Sequence, residues 1–345
     1  MSDTLVINTV RTPAIFGCLG PVLSRVEAAF LADLAPVGAI LFARNVESPD
    51  QVRRLTGDLR TAMGWEAPVF IDQEGGRVQR LRAPHWREWV PPLEHVARAG
   101  PARAARAMYL RSYLIGREQL ALGIDGNCAP CADLARPETH PFLRNRCYGE
   151  TPGAVVKIAR AVAEGLADAG VFPVLKHIPG HGRGTLDSHH DLPRVSAPRA
   201  ALEAADFTVF RALNDLEWGM SAHLVFEAVD AEAPATLSPK MIRLIREEIG
   251  FDGVLMTDDL SMNALPGRIG DRAARARAAG CDVILHCNGH RAEMEAVATA
   301  AGALDAEAGA RIMRALASRR APVAMDEAEA LAELAALCGW HGRDA

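Results

Sequence analysis

The chain reads as an α/β protein built on a single (β/α)8 TIM barrel, and three observations carry that reading. Short apolar runs recur along its 345 residues, helix-start signals fall between them, and polar residues follow the ends of most runs. The runs are AIFGCLG (14–20), GAILF (38–42), PVFI (68–71), GIDGNCAP (123–130), VFPVL (171–175), WGMSAH (218–223), GVLMT (253–257) and DVILH (282–286). Most lack strict alternation, as expected of parallel strands buried on both faces.

The helices announce themselves by their first turns. Ser24-x-x-Glu27 is a capping box, in which each side chain satisfies a backbone N–H left free at the helix start. Ser48-Pro49-x-Gln51 adds proline at the first helical position, followed by Val52, Leu55 and Leu59 at helical spacing. Ser238-Pro239 opens a helix with Met241, Ile242, Ile245 and Ile249 on one stripe, and Thr151-Pro152 precedes Val155, Ile158 and Val162. The Ala-rich tail from about 291 reads as closing helices of one domain spanning 1–345.

Alternating strand and helix also fits a doubly wound open sheet. The polar residues favour the barrel. Asp72, Asp133, Lys176 with His177, His223, Asp258 and His286 each lie at or just past the C-terminal end of a different run. A barrel gathers those ends on one rim, where such enzymes place their chemistry. Glu74-Gly75-Gly76-Arg77 is too short for a dinucleotide fingerprint.

Charge and composition exclude several functions. With 38 Lys+Arg against 43 Asp+Glu, net charge -5, the chain has no footprint for gripping a phosphate backbone, so no nucleic-acid partner is expected. No segment has the length of apolar sequence needed to cross a membrane, and the start lacks a signal-peptide pattern. Seven scattered cysteines fit a reducing cytoplasm, with Cys128 and Cys131 read as buried free thiols.

The stretch KHIPGHGRGTLDSHHDLP (176–193) concentrates four histidines and two aspartates among glycines. His177 and His181 have the spacing of a helical zinc pair, but the intervening Ile-Pro-Gly argues against a helix. The glycines could cradle an anion, although no GK[ST] follows. A third reading is acid/base chemistry: Asp187 can orient the His189 ring and stabilise its cation. Asp258-Asp259, after GVLMT, offers a partner carboxylate. Alternation along a strand would separate the two side chains, leaving one catalytic and one structural.

The sequence resembles the bacterial cytoplasmic β-N-acetylglucosaminidases of glycoside hydrolase family 3, enzymes of peptidoglycan recycling. The resemblance runs through GPVLS, ILFARNVESPDQ, IDQEGGRVQR, NCAPCADL, NRCYG, KHIPGHG with DSHHDLP, SAHLVF, PATLSP and GFDGVLMTDDLSM. It implies a single barrel domain without cofactor or metal. It makes Asp258 the nucleophile, His189 the acid/base and Asp187 its partner. Asp72, Arg146, Lys176 and His177 would bind the hydroxyls of a terminal N-acetylglucosamine, with Asp133 and Arg77 supporting them. Two departures are Cys147 and Tyr148, where Ser and Phe are common, and the block HWREWVPP (85–92).

The implied reaction removes non-reducing terminal N-acetylglucosamine from small muropeptides through a covalent glycosyl intermediate, in a cytoplasmic monomer. A neutral imidazole repels anions less than a carboxylate does, so phosphorolysis on the same scaffold is the main alternative. Aromatics at 5% leave little material for long polysaccharide platforms.

Overall fold

The computed structural model describes residues 10–186 and 192–340. The barrel strands, with two further short strands between them, are β1 (Thr12–Gly17), β2 (Pro36–Leu41), β3 (Val69–Ile71), β4 (Gly126–Asn127), β5 (Phe172–Ile178), β6 (Arg194–Val195), β7 (Trp218–Ser221), β8 (Val225–Phe226), β9 (Val254–Met256) and β10 (Ile284–His286). The eight-stranded sheet runs β10-β1-β2-β3-β4-β5-β7-β9 and is parallel throughout. A parallel bridge between Met256 and Val283 joins its edges and closes the barrel. Each of the eight apolar runs overlaps one barrel strand.

The expected helix starts are present. Ser24 caps Arg25–Leu34 with a full capping box, and Ser48 accepts from the N–H of Gln51 at the head of Pro49–Met63. Ser238 caps Pro239–Leu244, which continues as a π turn over Ile245–Ile249. The expected stripe of Met241, Ile242, Ile245 and Ile249 is buried. Thr151 precedes Pro152–Asp168 without a side-chain cap bond.

β6 and β8 were not foreseen, because neither lies within one of the eight apolar runs. They pair in parallel outside the barrel, Arg194 with Val225 and Val195 with Phe226, and tie the chain after residue 191 to the segment after β7. The tail forms helices Arg291–Ala301, Ala306–Ala317 and Glu327–Cys338. The unusual block 85–92 packs there: Trp89 stacks on Trp340 with ring centroids 4.0 Å apart.

Buried carboxylates pin the N-terminal ends of the strands. Asp125, just before β4, accepts from Val69 N–H and from Arg60 Nη2 at 2.5 Å, and pairs with Arg319 at 2.7 Å. Asp282, just before β10, accepts from Leu255 N–H at 2.8 Å and pairs with Arg246 at 2.5 Å and Arg311 at 2.9 Å. Arg311 and Arg319 belong to the tail, so these pairs fasten the closing helices to the barrel floor.

Removing one partner of such a pair strands the others in low dielectric. Asp282→Ala is therefore expected to lower stability by about 3–5 kcal/mol, read from the denaturant midpoint at unchanged m-value.

Candidate active site

At the C-terminal rim lies a cavity of about 190 Å³, bordered among others by Asp72, Arg80, Arg146, Lys176, His177 and Asp258. They come from several parts of the rim: Asp72 follows β3, Lys176 and His177 lie near the end of β5, Asp258 follows β9, and Arg146 stands beyond the short helix Pro141–Arg144.

Two carboxylates and three cations form a network in its wall and, at Glu74, behind it. Lys176 Nζ lies 3.0 Å from Asp72 Oδ1 and 2.5 Å from Glu74 Oε1. Arg146 grips Glu74 in bidentate fashion, Nε to Oε2 at 2.9 Å and Nη2 to Oε1 at 2.8 Å. Arg80 Nη2 donates to Asp72 Oδ2 at 3.2 Å. Burial alone would raise both acids, but Lys176 and Arg80 at Asp72, and Arg146 and Lys176 at Glu74, hold them below the usual carboxylate range. Burial would likewise discharge Lys176, and the two carboxylates reverse that, so its ammonium is retained.

Glu74 depends on its glycine neighbour. Gly75 has φ +105°, a conformation side chains rarely adopt, and a Cβ there would collide with the guanidinium of Arg111. That buried guanidinium donates to the carbonyls of Glu74 at 2.6 Å and Val90 at 2.9 Å, fixing the turn from beneath.

Below His177 sits Asp133, fully buried. Its Oδ2 lies 2.7 Å from His177 Nδ1, and its Oδ1 accepts from the backbone N–H of His181 at 2.6 Å. Donation from Nδ1 leaves Nε2 of His177 as an acceptor, 3.4 Å from Arg146 Nη2. Burial would raise the Asp133 carboxyl, but His177 and His181 bring it down to about 2.

Asp258 and Asp259 both border the cavity, contrary to the separation expected from strand alternation. β9 ends at Met256, so neither residue obeys the two-residue alternation of a strand. Their roles still divide. Asp259 accepts from Ser261 N–H at 3.0 Å, Ser261 Oγ at 2.6 Å and Cys287 N–H at 3.2 Å, which ties it into the turn. Asp258 accepts only the N–H of Asp259, at 2.8 Å, among the described residues. Burial pushes its pKa up, but His223, His177, the Asp259 N–H and Lys176 outweigh that and keep it ionised.

The structure therefore brings Asp72, Arg146, Lys176, His177 and Asp258 to one cavity, with Asp133 behind His177. Arg77 is not among the cavity residues: it is exposed, its guanidinium lying over the Phe142 ring. Asp187 and His189 lie outside the described residues. Glu74 and Arg80 were not assigned from sequence. Asp72-x-Glu74 spacing was the available signal for Glu74, since alternate residues of an extended segment face the same way.

All seven cysteines are buried and free. Cys131, Asp133 and His177 are the group of described residues whose donor atoms come within 4.8 Å of one another, as a metal would require. Those atoms already serve each other: Cys131 Sγ donates to Asp133 Oδ2 at 3.3 Å, the same oxygen that faces His177. The Tyr148 departure has a local use, because its hydroxyl accepts the Cys131 N–H at 3.1 Å.

A closed parallel barrel with an ionised carboxylate facing a preformed polar cavity at its C-terminal rim defines an enzyme of the barrel class. Residues 12–319 match the Glycosyl hydrolase family 3 N terminal domain. A beta-hexosaminidase of Alkalilimnicola ehrlichii is 39% identical over 282 residues, covering 80% of each chain. One from Methylococcus capsulatus is 39% identical over 284 residues, covering 79% of this chain and 82% of that one. Among solved structures, a glycoside hydrolase family 3 beta-N-acetylglucosaminidase from Paenibacillus sp. str. FPU-7 superposes with TM-score 0.83 at 31% identity, covering 96% of this chain and 68% of that one. NagZ from Neisseria gonorrhoeae in complex with zinc ion gives TM-score 0.82 at 28% identity, covering 95% and 98%. The chain belongs to glycosyl hydrolase family 3, and it is a glycosidase.

The buried histidines set its acid limit. Burial, with the His177 imidazole nearby, lowers His181 from its ordinary 6.5 to about 4. Between those values the unfolded chain takes a proton that the native one refuses, so the stabilisation is whole above about pH 6.5 and is lost as pH falls toward 4. His181→Gln is expected to flatten the dependence of unfolding free energy on pH in that window by roughly 1.4 kcal/mol per pH unit, one proton's worth, in denaturant titrations.

Proposed function

We propose that the chain is a retaining exo-β-N-acetylglucosaminidase that removes non-reducing terminal N-acetylglucosamine from peptidoglycan fragments. The observation that carries the reading is the ionised, lightly bonded Asp258 carboxylate facing a cavity with a ready-made set of hydroxyl-binding groups. The names borne by the relatives support it.

In this mechanism Asp72, Arg146, Lys176 and His177 bind the sugar hydroxyls and hold the anomeric carbon against Asp258. The carboxylate oxygen bonds to that carbon as the bond to the leaving oxygen breaks. Protonated His189, oriented by Asp187, gives the leaving oxygen its proton. Water then attacks the same carbon, His189 takes the water proton, and the sugar departs with its configuration retained. Most retaining enzymes use two carboxylates about 5–5.5 Å apart, and here an imidazole replaces one.

Incubation with N-acetylglucosaminyl-1,6-anhydro-N-acetylmuramyl peptide should release N-acetylglucosamine. A dominant sugar 1-phosphate in phosphate buffer would replace hydrolysis by phosphorolysis. A 5-fluoro-N-acetylglucosaminyl fluoride, slow to react, should label Asp258 in peptide mass spectra. An unlabelled active protein would point to attack by the substrate's own acetamido oxygen. Asp258→Asn should cut kcat at least about 10³-fold.

Glu74 holds both Arg146 and Lys176 without bordering the cavity. Glu74→Gln is expected to lower kcat/KM about 10- to 100-fold on an aryl N-acetyl-β-glucosaminide, because two cations lose the charge that aims them.

A further inference from the structure

The arginines that border the cavity are committed to carboxylates, Arg80 to Asp72 and Arg146 to Glu74, and so are Arg82, to Glu88, and Arg144, to Glu150, in the flanking segments. Arg77 is different. It is exposed, its guanidinium carbon lies 4.1 Å from the centroid of the Phe142 ring, and it makes no hydrogen bond or ion pair among the described residues. Phe142 itself borders the cavity, with the Arg146 guanidinium carbon 5.3 Å from its centroid. The ring thus contacts both a buried cation that borders the cavity and an exposed one outside it.

An aromatic face attracts a guanidinium without using its N–H donors, and that fork of donors matches a carboxylate. The rim is also where the leaving part of a substrate must pass. Displacement by Asp258 breaks the bond on the opposite face of the sugar, and the cavity, at about 190 Å³, has room for little beyond one sugar ring. Partly exposed Phe42, His140 and Phe142, with exposed Leu186, line the way out.

We propose that Arg77, held over the ring of Phe142, is the recognition point for a carboxylate on the aglycone. The inference rests on the reading of the cavity as an N-acetylglucosamine site and adds what lies beyond the cut bond. Neutral hexosamines offer no charge to such a group. A muramyl residue does, through its lactyl carboxylate or through the carboxylates of an attached peptide. With net charge -5 the whole chain does not attract an acid, so the attraction must be local.

The test compares the wild type with Arg77→Met, which keeps side-chain length and loses the charge. The substrates are N-acetylglucosaminyl-β-1,4-N-acetylmuramic acid, its lactyl methyl ester, and the disaccharide whose lactyl group carries an alanyl-glutamate stem. The wild type is expected to prefer a carboxylate-bearing substrate over the ester about tenfold in kcat/KM, and Arg77→Met to bring that ratio near one. Loss of preference for the free acid assigns the lactyl carboxylate, and loss confined to the stem substrate assigns the peptide; either supports the role. An equal fall on acid and ester, or a wild type with no preference for either acid, overturns it. Calorimetric binding of N-acetylmuramic acid against its methyl ester, with N-acetylglucosamine saturating, reads the same contrast without turnover. A protein that binds with this selectivity but cleaves nothing would lose the hydrolase reading and keep Arg77.

Discussion

The site depends on a buried carboxylate that faces no substrate. Glu74 is bound at both oxygens, by the fork of Arg146 and by the ammonium of Lys176, and Lys176 in turn reaches Asp72. Taking charges of both signs out of water is costly, and the cost is recovered only where each is paired and hydrogen-bonded with good geometry. Breaking the set at any member leaves a stranded charge, so these side chains have little freedom to rearrange. Groups so constrained stand in position before a ligand arrives, and little reorganisation is needed during a reaction. The same constraint reaches the backbone, through the positive φ of Gly75 and the Arg111 guanidinium under the Glu74 carbonyl.

The barrel makes this network available. Parallel strands deliver Asp72, Lys176 with His177, and Asp258 to one rim from sequence positions far apart. Asp125 and Asp282 do corresponding work at the opposite rim, where each joins a strand N–H to arginines of two surrounding elements. One end of the barrel therefore spends its buried charge on closure, and the other presents it to a cavity. Asp133 belongs between these cases: it is buried and fixes the His177 ring, which itself borders the cavity.

Apolar runs and helix caps were legible because they are local patterns, and a barrel strand buried on both faces writes its character into a few consecutive residues. The rim residues were legible because they follow those runs. Glu74 was harder: its importance lies in Arg146 and Lys176, 72 and 102 residues away, and no local pattern reports such a meeting. The β6–β8 pairing escaped for the same reason. Arg77 shares a block with Asp72 and Glu74, yet after the positive-φ turn at Gly75-Gly76 it is exposed over Phe142 and outside the cavity lining, which spacing alone does not show.

Asp258 and Asp259 show how far composition falls short of role. Identical side chains at adjacent positions border one cavity, so neither identity nor location separates them. Hydrogen bonding does. Asp259 accepts from two N–H groups and a hydroxyl, so most of its lone pairs are engaged in holding the turn. Asp258 keeps one oxygen outside any hydrogen bond among the described residues while nearby positive charge keeps it ionised. A carboxylate that is charged, lightly solvated by its protein and aimed at a cavity has lone pairs to give to an electrophile, whereas its neighbour has already given them to the fold. Asp259, by securing the turn whose own N–H binds Asp258, makes that difference persist.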